Sequence, residues 1–183
     1  GLPENRIIGS GTILDTARLK SRLSQYYNIS QNNVHAYVFG EHGDSSFIPW
    51  SLANISNVPV SEYHSMMTNE MDDYPELDLN EVEQYVRKSG ARVIARKGAT
   101  FYAVAVSVCH ICKCLLNGMD TTMTVSTMMH GEYGVDDVCL SVLNVVGSEG
   151  AHSKLLAPLT DAEIALLRRS ANMLKDVIKN LEI

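Results

Sequence analysis

The chain has 183 residues, is 45% hydrophobic and 20% charged, and carries a net charge of −6. That is the profile of a soluble globular protein with room for a real core, and it lacks the basic footprint of a nucleic-acid binder. The longest mainly apolar run, "ATFYAVAVSVCHIC" (99–112), is too short to span a bilayer and runs into Lys113, so no membrane association is expected.

In chain order, residues 10 to 27, "SGTILDTARLKSRLSQYY", read as a helix, with Leu14, Ala17, Leu19, Leu23 and Tyr26 forming a broad apolar face. "NVHAYVFG" (33–40) is β-branched and aromatic and reads as one strand. "SFIPW" (46–50) is a second extended piece, with Pro49 suited to a strand end or an edge. The acidic stretch "NEMDDYPELDLNEVE" (69–83) reads as a solvated loop leading into a helix, which runs from Leu79 to about Arg96 before Gly98 breaks it. A further helix follows from Thr100 to Leu116. Residues 121–134 and 137–150 read as two strands with glycine-containing turns. The last helix opens on a capping box, Thr160 to Glu163, and continues through Ile178. Helices and strands mix without regular βαβ alternation, so the expected class is α+β, with helices and antiparallel strands in one domain over 1–183.

Two tempting motifs lead nowhere. "GSGTIL" (9–14) begins like a dinucleotide fingerprint, but Leu14 stands at the third glycine, and no acidic residue follows about twenty positions on. "CHICKC" (109–114) contains a C-x-x-C and a histidine, yet only Cys139 could follow as a further ligand. Inside an apolar helix such cysteines read as small core hydrophobes, so no metal is assigned. Four cysteines too clustered for a disulfide framework, and no basic and apolar leader at the start, suggest a reducing, cytoplasmic home.

The chemistry-bearing stretch is "VFGEHGDSSFIPW" (38–50), which sets His42 between carboxylates at a glycine-softened break. Asp15 and Arg18, three apart on the first helix, share a face. Spacing alone fits a surface ion pair, or Asp15 as a first-turn acid favoured by the helix dipole. Joined to His42, the same pair acquires another meaning. A carboxylate fixes the tautomer of a histidine and stabilises its imidazolium, which can then give a proton to a developing alkoxide. An arginine fork binds a carboxylate with two parallel hydrogen bonds. Together they describe work on a small 2-oxo or 2-hydroxy acid.

"GSGTILDTARLKSRL", "NVHAYVFGEHGDSS", "RKGATFYAVA" and "LTDAEIALLRRSANMLKDVI", in this order and spacing, resemble the L-lactate dehydrogenases of the lactate/malate dehydrogenase family, over essentially the whole chain. The resemblance implies the carboxyl-terminal, substrate-binding domain of that fold, with the amino-terminal dinucleotide-binding domain outside this chain and no turnover by this stretch alone. It implies His42 as proton donor and acceptor, Asp15 as its partner and Arg18 as the carboxylate clamp. Thr100 would line the substrate pocket, although by itself it reads equally as a helix N-cap. Val104 would touch the nicotinamide of NAD, although by itself it reads as core. Asp44 would support the histidine loop, and Ser89 and Gly90 would shape the substrate pocket. Pyruvate and L-lactate are the implied substrates, Glu41 and Ser46 favouring them over malate. Lys20 and His35 match an effector site for fructose bisphosphate, beside plain readings as a solvated lysine and a strand histidine. The family is usually tetrameric, so a homo-oligomer is implied. Two rivals remain: another 2-hydroxy-acid dehydrogenase, and a non-catalytic assembly module.

Overall fold

The computed structural model describes residues 1–67 and 77–181. Its first helix, α1 (Ile13–Tyr27), buries Ile13, Thr16, Leu19, Leu23 and Tyr27, a spacing of three and four that makes one continuous stripe. It ends where Asn28 takes a left-handed conformation and returns its N–H to the Ser24 carbonyl. β1 (Val34–His35), β2 (Asn54–Ile55) and β3 (Val58–Pro59) form a small antiparallel sheet, and α2 (Val60–Met66) follows. α3 (Leu79–Lys97) starts on Asp78, whose carboxylate accepts the N–H groups of Asn80 and Glu81, and stops at Gly98 with φ 78°. α4 (Tyr102–Asn117) comes next.

Five strands complete the β part: β4 (Thr121–Met123), β5 (Ser126–His130), β6 (Asp136–Ser141), β7 (Asn144–Gly147) and β8 (Gly150–Lys154). β5 pairs β6, while β7 lies between β4 and β8, all antiparallel. The closing helix α5 (Asp161–Lys179) has both halves of its capping box, Thr160 with Glu163. The α+β expectation is met.

One row of small residues ties these pieces together. Gly9 pairs Ser126, Ser126 pairs Ser141, and Ser141 pairs Gly40. The chain entering α1 and the chain entering the histidine loop are therefore hung on the same ladder rung. Gly11, at φ 51°, shows how close the approach is, because a Cβ there would stand 2.2 Å from Ser141 Oγ. Three apolar clusters surround the row: α1 with the β1–β3 sheet and α3, the β5–β6 pair with α5, and the start of α1 with the far half of α4 and β7.

Several expectations need correction. The strand over 33–40 is not one ladder. Only Val34 and His35 pair with β2; Phe39 bridges Phe47, Gly40 bridges Ser141, and Val38 bonds to threonine side chains of α1. The segment is extended and buried, but each part answers to a different partner. The two strands expected over 121–150 are four, and β8 is additional. The crossings are stabilised by Asn144, whose amide donates to the Val125 and Val142 carbonyls (3.0 and 2.9 Å) and accepts from Thr127 (3.0 Å). Of the helical cysteines, Cys109 and Cys112 are exposed rather than core, while Cys114 is half-buried against the third cluster; Cys139, on β6, is exposed. Ala17 also lies outside the buried stripe of α1. Of the acidic stretch, the helix start is as expected, and the part through residue 76 lies outside the described residues.

The contact between Val38 and α1 generates a stability prediction. The Val38 N–H donates to Thr16 Oγ1 (3.0 Å), which also shares a hydrogen bond with Thr124 Oγ1 (2.9 Å), all of it buried. Thr16→Val keeps the shape and leaves a buried N–H unpaired, a cost of about 1–3 kcal/mol. Urea unfolding of Thr16→Val beside Thr16→Ser should show that loss in the valine variant and much less in the serine variant. Equal behaviour of the two would remove the hydroxyl from the account.

Candidate active site

Asp15 lies in the first turn of α1, its side chain only 8% exposed. Its carboxylate serves two partners. One oxygen, Oδ2, is 2.6 Å from His42 Nδ1, and the other, Oδ1, accepts from the Arg18 guanidinium at 3.1 Å. The i,i+3 pair read from spacing is present, and it is joined to the histidine 27 residues away. With Nδ1–H donating to Asp15, Nε2 is the ring atom left for proton exchange, on a side chain that is 61% exposed. The Asp15 hydrogen bond holds the imidazole above its ordinary pKa of 6.5, against the downward pulls of burial and of Arg18.

The backbone that delivers His42 is fixed from three sides. Gly40, at φ 92°, turns the chain where a Cβ would meet Ser170 Oγ at 2.7 Å. From α5, Ser170 accepts the Glu41 N–H (2.9 Å) and contacts Ser45 Oγ (2.9 Å). Within the loop, Glu41 accepts from the Ser45 hydroxyl (2.6 Å) and N–H (3.1 Å), and Ser46 Oγ donates to the Gly43 carbonyl (2.8 Å). From α3, Arg87 donates to the Ser46 carbonyl (2.9 Å). The bracing carboxylate is therefore Glu41, whereas Asp44, assigned that role from the resemblance, is exposed.

Sequence reasoning missed Thr12, Thr16, Ser141, Ser170 and Arg87. One signal was available for Ser170: a hydroxyl between Leu167 and Ala171, on the buried face of an amphipathic helix, needs a polar partner. The threonines four apart at the start of α1 carried a similar signal.

Arg18 lines a cleft of about 550 Å³ between α1 and α3, shared with Tyr85, Ser89, Arg92, Arg96 and Lys97. Ser89, one of the two pocket-shaping positions, is thus brought to the clamp, and a Cβ on Gly90 would meet open space. Thr100 lies in the connection between α3 and α4 and is not the N-cap, a place held by Phe101. Val104, in the first turn of α4, is 37% exposed rather than core. Neither lines the cleft at Arg18. Lys20 rests its ammonium over the Tyr37 ring (5.6 Å), and burial lowers its pKa. His35 is exposed on β1, two residues before Tyr37.

Gly9 and Gly11 are spent on contact with Ser126 and Ser141, which leaves neither free to cradle a phosphate. No cluster of three or more metal-ligating side chains occurs among the described residues.

A histidine polarised by a buried carboxylate stands beside an arginine that opens on a cation-lined cleft, a set able to exchange a proton and to bind an anion. The family is shown by comparison with known proteins. Residues 12–182 match the family model for the lactate/malate dehydrogenase alpha/beta C-terminal domain, and the chain belongs to that family. An L-lactate dehydrogenase of Acetivibrio thermocellus is 43% identical over 100% of this chain and 57% of its own length. One from Shouchella clausii is 44% identical over 99% of this chain and 54% of its own. The solved L-lactate dehydrogenase of Clostridium thermocellum superposes with a TM-score of 0.89 at 37% identity, covering 100% of this chain and 58% of that one. The chain thus spans a little over half the length of the curated relatives it matches.

Proposed function

We propose that this chain is the substrate-binding half of an L-lactate dehydrogenase, acting on pyruvate and L-lactate. The observation that carries the reading is the shared carboxylate: Asp15 holds His42 and Arg18 at once, at 2.6 and 3.1 Å. Arg18 binds the carboxylate of the 2-oxo acid through the guanidinium donors not committed to Asp15. His42 Nε2 gives its proton to the carbonyl oxygen as that oxygen becomes an alkoxide, and takes it back in the reverse direction. Family members named L-lactate dehydrogenase imply NAD, which supplies the hydride when bound. Thr100 and Val104 are the residues of this chain we place against substrate and nicotinamide. The exposed apolar side chains of α4, Tyr102, Val104, Val106 and Val108, support contact with a dinucleotide-binding half. We also place the enzyme in the cytoplasm and as a homo-oligomer; no helix among the described residues is long and apolar enough to cross a membrane.

The test is kinetic, on the intact protein. His42→Asn should lower turnover by about 10²–10⁴, the worth of a positioned acid–base group. Arg18→Lys, which loses the fork, should weaken pyruvate at least about tenfold. Pyruvate reduction needs the imidazolium, so it should hold below the raised His42 pKa and decline as pH rises through it, while lactate oxidation does the reverse. Near-wild-type rates in His42→Asn would remove the site.

A second proposal concerns Lys20 and His35. Lys20 over the Tyr37 ring, with the exposed His35 two residues before Tyr37, supports a bisphosphate effector, fructose bisphosphate by resemblance. Adding it should lower the pyruvate concentration for half-maximal rate, and Lys20→Gln should reduce that response. No response in the wild type would eliminate the effector.

A further inference from the structure

We propose that Ser170, on the closing helix α5, is a positioning residue for proton transfer at His42, acting through a one-way circle of hydrogen bonds anchored on the Glu41 carboxylate. The inference rests on the reading of His42 as the acid–base group. Ser170 is fully buried, on a face of α5 that it shares with Leu167 and Ala171. A buried hydroxyl has to find polar partners. This one finds them in Glu41 and Ser45, residues that flank the histidine in the chain.

The direction of the circle is set by its protons. An ionised carboxylate only accepts, and a hydroxyl has a single proton to give. Ser45 Oγ donates to Glu41 Oε1 at 2.6 Å. The 2.9 Å contact between Ser45 Oγ and Ser170 Oγ is therefore made with the Ser170 proton. Ser170 Oγ in turn accepts the Glu41 N–H at 2.9 Å. The bonds run from the peptide nitrogen of Glu41 through two hydroxyls and back to the carboxylate of the same residue. All of them point one way, so each polarises the next. The Ser45 N–H also donates to Glu41 Oε1 (3.1 Å), beside Gly43, where a Cβ would stand 3.1 Å from that oxygen.

His42 follows Glu41 directly, so the circle fixes the backbone on which the imidazole is mounted, while Asp15 holds the ring itself. Proton transfer needs Nε2 within hydrogen-bond reach of the substrate oxygen, and a displacement of about 1 Å can cost on the order of 10²-fold. Arg18 is on α1 and takes no part in the circle. Losing the circle therefore slows the proton step and spares the grip on the substrate carboxylate.

The measurement is kcat and KM for pyruvate with NADH, on the intact protein at about pH 6, below the raised pKa of His42, where a changed charge at residue 41 matters least. Ser170→Ala should lower kcat about tenfold with KM within about twofold. Glu41→Ala should do the same, and Glu41→Gln, which keeps the acceptor oxygen, should recover most of the loss. Because both residues belong to one circle, the Ser170→Ala/Glu41→Ala double variant should be little worse than either single one. Melting curves establish that the variants fold; should Ser170→Ala not fold, the two Glu41 variants carry the test. Unchanged kcat in Ser170→Ala, a loss in KM instead of kcat, losses that multiply in the double variant, or a Glu41→Gln no better than Glu41→Ala each overturn the circle and leave the dehydrogenase reading standing. A wild type that does not reduce pyruvate overturns both.

Discussion

The peptide of Val38 is the point on which the site depends. Its N–H goes to Thr16 Oγ1 and its carbonyl accepts from Thr12 Oγ1, side chains four apart on the same face of α1. Asp15 lies between those two threonines in sequence, and His42 lies four residues beyond Val38. A helix and an extended segment are thereby locked at a fixed height, with the carboxylate and the imidazole at the same level. A buried peptide must find partners for both of its polar groups. Here it finds them on the helix that carries Asp15 and Arg18, so folding and site assembly are one event.

Around that lock, small residues let backbones meet. Gly9, Ser126, Ser141 and Gly40 form the row on which both chain entries hang, and Ser141 also accepts the Thr12 N–H (3.1 Å). A larger side chain at any of these places would separate α1 from the histidine loop. Ser170 does the same from α5, taking the Glu41 N–H at the turn. The loop holding His42 is thus braced where it begins and ends, with the imidazole exposed between those braces alongside Gly43 and Asp44.

The elements with long periodic patterns were legible in the sequence: α1, α3, α4 and α5, with the Thr160–Glu163 capping box and the Gly98 stop. So was the pairing of Asp15 with Arg18, since i,i+3 spacing on a helix decides it. What the sequence concealed was everything set by distant partners. Val38 looks like a strand residue, and nothing local says that its hydrogen bonds go to threonine hydroxyls. β5 and β6 blend into their neighbours because the crossing at Asn144 is stabilised by a side chain rather than marked by a turn. Val104 and the cysteines of α4 look like core because the helix is apolar, yet within this chain much of that helix has no cover. The meeting of His42 with Asp15 is implied by the resemblance alone; its physical cause is the pairing of the Val38 peptide with the α1 threonines.

The central claim is that Asp15 sets the state of His42. Following the His42 ring protons of this chain by NMR across pH, in wild type and in Asp15→Asn, addresses it without any substrate. The account predicts a midpoint above 6.5 in the wild type and a clearly lower one when the carboxylate is neutralised. Coincident midpoints in the two proteins would contradict it.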